Sequence, residues 1–260
     1  AGESLAERDL TGADLSGLDL RGVNLERAFL ERCNLVDCDL SGAKLDDAVF
    51  ARADLTRAKL IGAAVKAANF GEARLHGTDL SGEVDLSGAV FAKAELVGAR
   101  LTGARLDGVD FMDAQMRECD LSKVSGSNLI FFRNDLSGAK LSGCRLEACN
   151  FFEVDLRGAD FGGATLTGTA FVTVQGDGAR FDQADCTNLR VVAESSLVGA
   201  SFREAKLDKA NLRSTNLRGA DFTCAQLPAA DLSEADLEDA TFYRAHAPGA
   251  LLIKSNLRGA

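Results

Sequence analysis

The sequence predicts an all-β solenoid, in which short extended pieces of chain wind into stacked coils. The main observation is a period of five, because the 260 residues divide into 51 five-residue units with one extra residue at each of two joints. Leu or Phe fills 44 of the 51 central positions. A period of five matches neither the turn of a helix nor the two-residue alternation of an ordinary strand. It therefore indicates a repeat architecture with a locally buried core.

A typical unit is Ala13-Asp14-Leu15-Ser16-Gly17, whose positions we number from −2 to +2 around the central Leu. Position −2 is Ala in 29 of the 51 units, which favours an inward place in a narrow core. Position +2 holds 21 of the 26 glycines and is typical of a corner with unusual backbone angles. We therefore expect the −2 and central side chains to point inward and the other three to face solvent or form the corner.

The spacing of the phenylalanines predicts four units in each coil, and thus about 13 coils in the chain. Within each of two series, every central Phe follows the previous one by four units, and the two series are offset by two units. We expect all twelve rings to be buried in two columns on opposite sides of the core, with a changeover around Phe151 to Phe181. The first series is Phe50, Phe70, Phe91, Phe111, Phe131, Phe151 and Phe171, and the second is Phe161, Phe181, Phe202, Phe222 and Phe242.

The repeat resembles the pentapeptide-repeat family, as in Ala43-Lys44-Leu45-Asp46-Asp47 and Ala159-Asp160-Phe161-Gly162-Gly163. This resemblance covers nearly the whole chain. It implies a right-handed quadrilateral parallel β-helix and says little about function, because one fold hosts many functions. We expect a single solenoid domain over residues 1–260, in which the extra residues form one-residue bulges at corners near 81–85 and 192–196.

The ends of the sequence show no cap, so we expect that the chain is part of a larger protein or that two chains pair through an end. The chain opens Ala1-Gly2-Glu3 without an initiator Met and stops at Ala260 within the motif. The sequence contains no run of 18 apolar residues, so it predicts no membrane span. Several free cysteines favour a reducing compartment, so we expect a cytoplasmic location, with later export possible as part of a secreted protein.

No combination of residues predicts an enzyme, a cofactor site or a metal site. The two histidines, His76 and His246, are far apart in the repeat and occupy outward positions. Six of the seven cysteines occupy inward positions, where they are expected to pack as small apolar side chains, and only Cys224 is outward. Of the 39 acidic residues, 17 occupy position −1, where we expect solvated or turn-bonding carboxylates. A glycine-rich piece, Val174 to Gly178, lacks the Lys of a phosphate loop and predicts a protruding turn.

Two functions remain open. The family includes proteins that mimic DNA and bind DNA gyrase or topoisomerase, so the resemblance implies DNA mimicry as one alternative. The net charge of −10 is mixed along the chain, and residues 197–260 carry 8 basic and 8 acidic side chains. This balance also argues against direct binding of nucleic acid. The other alternative is a non-catalytic scaffold for protein–protein interaction, as a repeat domain of a larger bacterial protein such as a secretion-associated effector or adaptor.

An apolar stripe favours the scaffold. Position +1 is usually polar or small, yet one column of it carries large apolar residues at intervals of 20. We expect a stripe that binds a protein partner or a second copy, because a contiguous exposed apolar patch usually marks a contact surface. The alternative is that segments 122–134 or 174–178 fold over the stripe and cover it. The stripe consists of Met112, Phe132, Phe152, Val172 and Val192, widened by Ile130 at position −1.

Overall fold

The computed structural model describes residues 4–260, so the start of the chain, Ala1 to Glu3, lies outside the described residues. Two compact units form along the chain, Ala1–Gly126 and Ser127–Ala260, which we call unit 1 and unit 2. The described chain is all-β and contains no helix, and therefore none that could cross a membrane. The prediction of a β-solenoid is confirmed. That one domain of about 13 coils spans both units stays a prediction.

Parallel backbone pairing between coils holds each unit together. In unit 1, position −1 pairs with position −1 of the next coil, as in Lys44 with Ala64. The step between paired residues is 20, so each coil contains four five-residue units as predicted. It becomes 21 between Asn69 and Val90 in unit 1 and between Gln175 and Ser196 in unit 2. Each longer step takes up the extra residue of one joint.

Six short strands extend this pairing. Their bounds are β1 (Ser125–Ser127), β2 (Ile130–Phe132), β3 (Arg145–Glu147), β4 (Asn150–Phe152), β5 (Ala170–Val172) and β6 (Arg190–Val192). In unit 2, strands β2, β4, β5 and β6 lie in that order in one parallel sheet. Each strand is only three residues long, because a corner follows every unit.

The corners provide hydrogen-bond partners for backbone groups and impose the same backbone conformation on every five-residue unit. At one of them, Ala63 N–H donates to the Leu60 carbonyl at 3.0 Å and closes a four-residue turn. The +2 residue of the corners has a positive φ whether or not it is glycine, as at Ala67 (55°) and Thr173 (55°). This conformation is unfavourable for a residue with a Cβ, and most of all for a β-branched one. Pairing with the coils on both sides therefore overrides the local preference of the +2 residue.

The core contains the predicted aromatic columns. In unit 1 the rings of Phe50 and Phe70 stack at 5.0 Å, and in unit 2 those of Phe181 and Phe202 stack at 4.9 Å. The changeover lies where predicted: the Phe151 ring meets the Phe171 ring edge-on at 5.1 Å. Eleven of the twelve rings are fully buried, as predicted.

The twelfth ring corrects the prediction. Phe242 is only half-buried, although it stacks on Phe222 at 5.0 Å. No described residue stacks on its other face, so burial of an aromatic in this fold requires a coil on both sides.

The expected protruding turn at residues 174–178 is also wrong. Gln175 pairs with Asp155 on one side and Ser196 on the other, so this segment continues the coil. A Cβ on Gly176 would lie 2.7 Å from Cδ2 of Leu197, which comes from the next coil. Leu197 thus fills the space that a central side chain would occupy at position 176, and the glycine is required for packing.

Candidate functional site

The predicted stripe residues of unit 2 lie on adjacent strands of its four-stranded sheet. Phe132 on β2 pairs with Phe152 on β4, Phe152 with Val172 on β5, and Val172 with Val192 on β6. At parallel strand spacing these four side chains form a row of about 14 Å. We call Ile130 together with this row the ridge.

The ridge points outward because side chains alternate along each strand. On β2, Phe131 is fully buried, whereas Ile130 keeps 56% of its surface exposed. The four side chains of the row are half-buried. The Arg133 guanidinium lies 4.7 Å from the centre of the Phe132 ring, in the arrangement of a cation–π contact. The ridge is thus an apolar row with a charged residue beside it.

No segment of unit 2 covers the ridge. Asn128 N–H donates to the Glu147 carbonyl and Arg133 N–H to the Phe152 carbonyl, so the part of 122–134 that lies in unit 2 follows the coil, as residues 174–178 do. The alternative in which these irregular segments fold over the stripe is therefore wrong for unit 2.

Met112, the remaining predicted stripe residue, belongs to unit 1 and is 48% exposed. The preceding residues of its column are small: Ala51, Gly71 and Ala92. They form the floor of an open groove of about 460 Å³. From the sequence, these small residues indicated only that the stripe ends there. The signal that predicts a groove is present in the sequence, namely small residues at +1 on three successive coils.

Charged residues at position +2 line one side of both surfaces. On the groove, Arg52 donates to Glu72 at 3.0 Å and lies 3.8 Å from Glu31, which is at position +1. The hydrogen bond from Arg52 lowers the pKa of Glu72 below its usual value. On the ridge, Arg133 and Glu153 form a similar pair at 2.9 Å. All of these side chains are largely exposed, so the pairs contribute little stability and remain accessible to a partner.

The acidic residues at −1 serve the corners, as expected. The Asp14 carboxylate accepts the backbone N–H of Ser16 at 3.1 Å, and Asp231 accepts that of Ser233 at 2.9 Å. Hydrogen bonds from these serines lower the pKa of both carboxyls. Charge also alternates along some columns, as in Lys59, Asp79 and Arg100, which pair in succession in unit 1. The negative charge is therefore distributed and partly neutralised locally.

Neither histidines nor cysteines form a site within the described residues. His76 Nε2 lies 2.8 Å from Oε2 of Glu95, and no cluster in residues 4–260 could hold a metal ion. Six cysteines are buried and Cys224 is exposed, all with free thiols, which confirms their predicted packing. Burial raises the pKa of Cys119 and Cys144 to about 12.

These environments predict a simple pattern of thiol reactivity. In the native protein, Ellman's reagent is expected to modify one cysteine, Cys224, and to reach the other six only after denaturation. The reason is that the thiolate is the nucleophile, and buried thiols with raised pKa values are inert. The Cys224→Ser variant should show no fast reaction. Fast modification of two or more thiols in that variant would contradict the buried assignment.

The fold and surface define the chain as a β-solenoid of five-residue repeats. A family model described as pentapeptide repeats (8 copies) matches most of the sequence. The chain belongs to the pentapeptide-repeat family. The matched residues are 4–35, 33–70, 83–129, 130–168, 195–233 and 230–260.

Several solved structures are similar to this chain. QnrB1, described as a plasmid-mediated fluoroquinolone resistance protein, is 19% identical in a trypsin-treated form, covers 78% of this chain and 85% of its own, and has a TM-score of 0.44. HetL, from the cyanobacterium Nostoc and described as involved in the regulation of heterocyst differentiation, is 25% identical over 96% and 85%, with a TM-score of 0.23. A pentapeptide-repeat protein of the Arabidopsis thaliana thylakoid lumen is 29% identical over 46% and 69%, with a TM-score of 0.28. No curated protein matches the sequence.

Proposed function

We propose that this chain is a non-catalytic scaffold that binds protein through its apolar stripe. The observation that carries the proposal is the ridge of unit 2, where two phenylalanines and two valines occupy one outward row on paired strands. Aromatic side chains contribute strongly to protein interfaces when they become buried. On the other faces of unit 2, position +1 is most often Ser, Thr, Arg or Asp. The apolar row is therefore unusual within its own unit.

The distribution of charge supports this function over DNA mimicry. A protein that replaces DNA needs closely spaced negative charge along its surface, as the phosphates of a duplex provide. Here acidic side chains alternate with basic ones, and Arg100 lies 3.5 Å from Asp79. The carboxylates at −1 are also engaged by backbone N–H groups of the corners. The six buried free thiols support folding in a reducing compartment such as the cytoplasm.

The test is a double substitution on the ridge. Phe132→Ser/Phe152→Ser is expected to remain folded, because the adjacent Phe131 and Phe151 supply the core, and to lose its protein partner. Wild type and variant would be compared as baits in quantitative affinity purification, with circular dichroism to check folding. A matched control is Val198→Ser/Tyr243→Ser, which removes apolar side chains at +1 in other columns of unit 2.

Partners retained by wild type and control but lost from the ridge variant would support the scaffold. Identical partners for all three proteins would contradict it, as would an unfolded ridge variant. A supercoiling assay with DNA gyrase addresses the alternative, because inhibition at low micromolar concentration would favour DNA mimicry over the scaffold.

A further inference from the structure

We propose that the ridge of one copy docks into the groove of a second copy, with the coils of the two copies running in opposite directions. The inference deepens the proposed function, on which it rests, because it assigns the partner of the same stripe. Two features of the chain carry it: the matching spacing of the two surfaces and the order of charges beside them.

Groove and ridge have the same repeat along the solenoid. The groove floor advances one coil at a time through Ala51, Gly71 and Ala92, and the ridge does so through Phe132, Phe152 and the two valines. Because both surfaces are built on parallel pairing, each step is one strand spacing of about 4.8 Å. Large side chains on one copy can therefore face small side chains on the other over several coils, because the register is maintained from coil to coil.

The direction of docking follows from geometry. Two arrangements bring the +1 columns of two faces together: the same coil order with antiparallel strands, or the reversed coil order with parallel strands. Only the reversed order also places the charged +2 column of one copy opposite the +2 column of the other. In the reversed order Ala92 opposes Phe152, and Gly71 opposes Val172. Met112 then opposes Phe132, and Val192 opposes Ala51.

The charges beside the two surfaces are complementary in this register. Reading up unit 1, position +2 holds Arg32, Arg52, Glu72, Lys93 and Asp113, and Glu31 ends the +1 column. Reading down unit 2, position +2 holds Ser214, Ala193, Thr173, Glu153 and Arg133. The extra residue Glu194 follows Ala193, and Arg213 ends the +1 column. Two of the opposed +2 pairs join opposite charges, Lys93 with Glu153 and Asp113 with Arg133. The ends of the +1 columns add a third pair, Glu31 with Arg213, and Arg52 faces the corner that contains Glu194.

Neighbouring registers are disfavoured. A shift of one coil one way places Lys93 opposite Arg133 and Glu72 opposite Glu153. A shift the other way places Asp113 opposite Glu153 and Glu72 opposite the corner that contains Glu194. Like charges opposed at an interface are costly, so the pattern specifies one register as well as one partner. Arg52 and Glu72 of the groove already pair with each other within unit 1. The register of docking is therefore selected by the order of charges along the column and not by any single charge.

The experiment uses two charge reversals, Lys93→Glu and Glu153→Lys, at exposed positions. Sedimentation equilibrium of the wild type is expected to show reversible self-association at micromolar to submillimolar concentration. Each variant alone opposes two like charges, so its Kd should rise at least about tenfold. An equimolar mixture restores opposite charges between the two chains and should associate like the wild type. Lys209→Glu, in another column of unit 2, is the matched control and should behave as wild type.

Recovery in the mixture would support the proposal, because a change in the fold of either variant could not produce it. A wild type that stays monomeric, single variants that associate normally, or a mixture that stays dissociated would each overturn it. These results are distinct from failure of the scaffold. If the wild type is monomeric but the Phe132→Ser/Phe152→Ser variant still loses a cellular partner, self-docking is wrong and the scaffold stands.

Discussion

Replacing Phe181 with Ala is expected to lower the free energy of unfolding by about 3–5 kcal/mol. Its ring is fully buried and stacks on Phe161 at 5.0 Å and Phe202 at 4.9 Å. It also lies 6.0 Å from the tilted ring of Phe171, at the changeover between the two columns. Truncation therefore leaves a cavity between two coils that are fixed by their own backbone pairing and cannot collapse into it. Urea denaturation followed by circular dichroism measures the loss.

Phe29→Ala is the control for this prediction. Phe29 is at an outward position and 51% exposed, so its removal should change the free energy of unfolding by less than about 1 kcal/mol. An equal effect of the two substitutions would mean that the stacked column does not stabilise the coil.

Replacing Ala63 with Leu is expected to destabilise unit 1 by about 1–3 kcal/mol. Ala63 is at −2 and only 3% exposed, and its backbone N–H donates to the Leu60 carbonyl at 3.0 Å in the corner. A larger side chain has no room inside the coil and must push on a corner that is held by the coils on both sides. The change in the urea midpoint measures this cost.

The next residue provides the matched control. Ala64 is outward and exposed, and its backbone N–H donates to the Ala43 carbonyl of the neighbouring coil at 2.9 Å. Ala64→Leu should therefore lie within about 0.5 kcal/mol of wild type. If both substitutions are tolerated equally, the predominance of alanine at −2 does not reflect the width of the core.

Much of the fold was determined by the sequence alone. A period of five fixes which residues face inward, so the burial of Phe131 and the exposure of its neighbour Ile130 follow from counting. The spacing of the central phenylalanines likewise fixed the 20-residue coil and the position of the changeover at Phe151 and Phe171. These features are predictable because every unit repeats the same geometry and contacts the unit 20 residues away.

Part of the candidate site was predictable for the same reason. The spacing of Phe132, Phe152, Val172 and Val192 placed them in one column, and the structure pairs them on successive strands. The groove in unit 1 was not predicted, although the small residues at +1 are visible in the sequence. Its depth depends on the larger charged side chains that stand beside Ala51 and Gly71 in the structure.

Tertiary structure alone decided the details that depend on which residue lies one coil away. Gly176 suggested a turn, but the Leu197 side chain fills its place and keeps the segment in the coil. Thr173 adopts a left-handed conformation that its own side chain disfavours, because pairing on both sides fixes the corner. Phe242 follows the pattern of a buried centre yet remains half-exposed for want of a neighbour on one face. The period of five determines whether each side chain points inward or outward. Packing against the adjacent coils determines how much space and which contacts that side chain finds there.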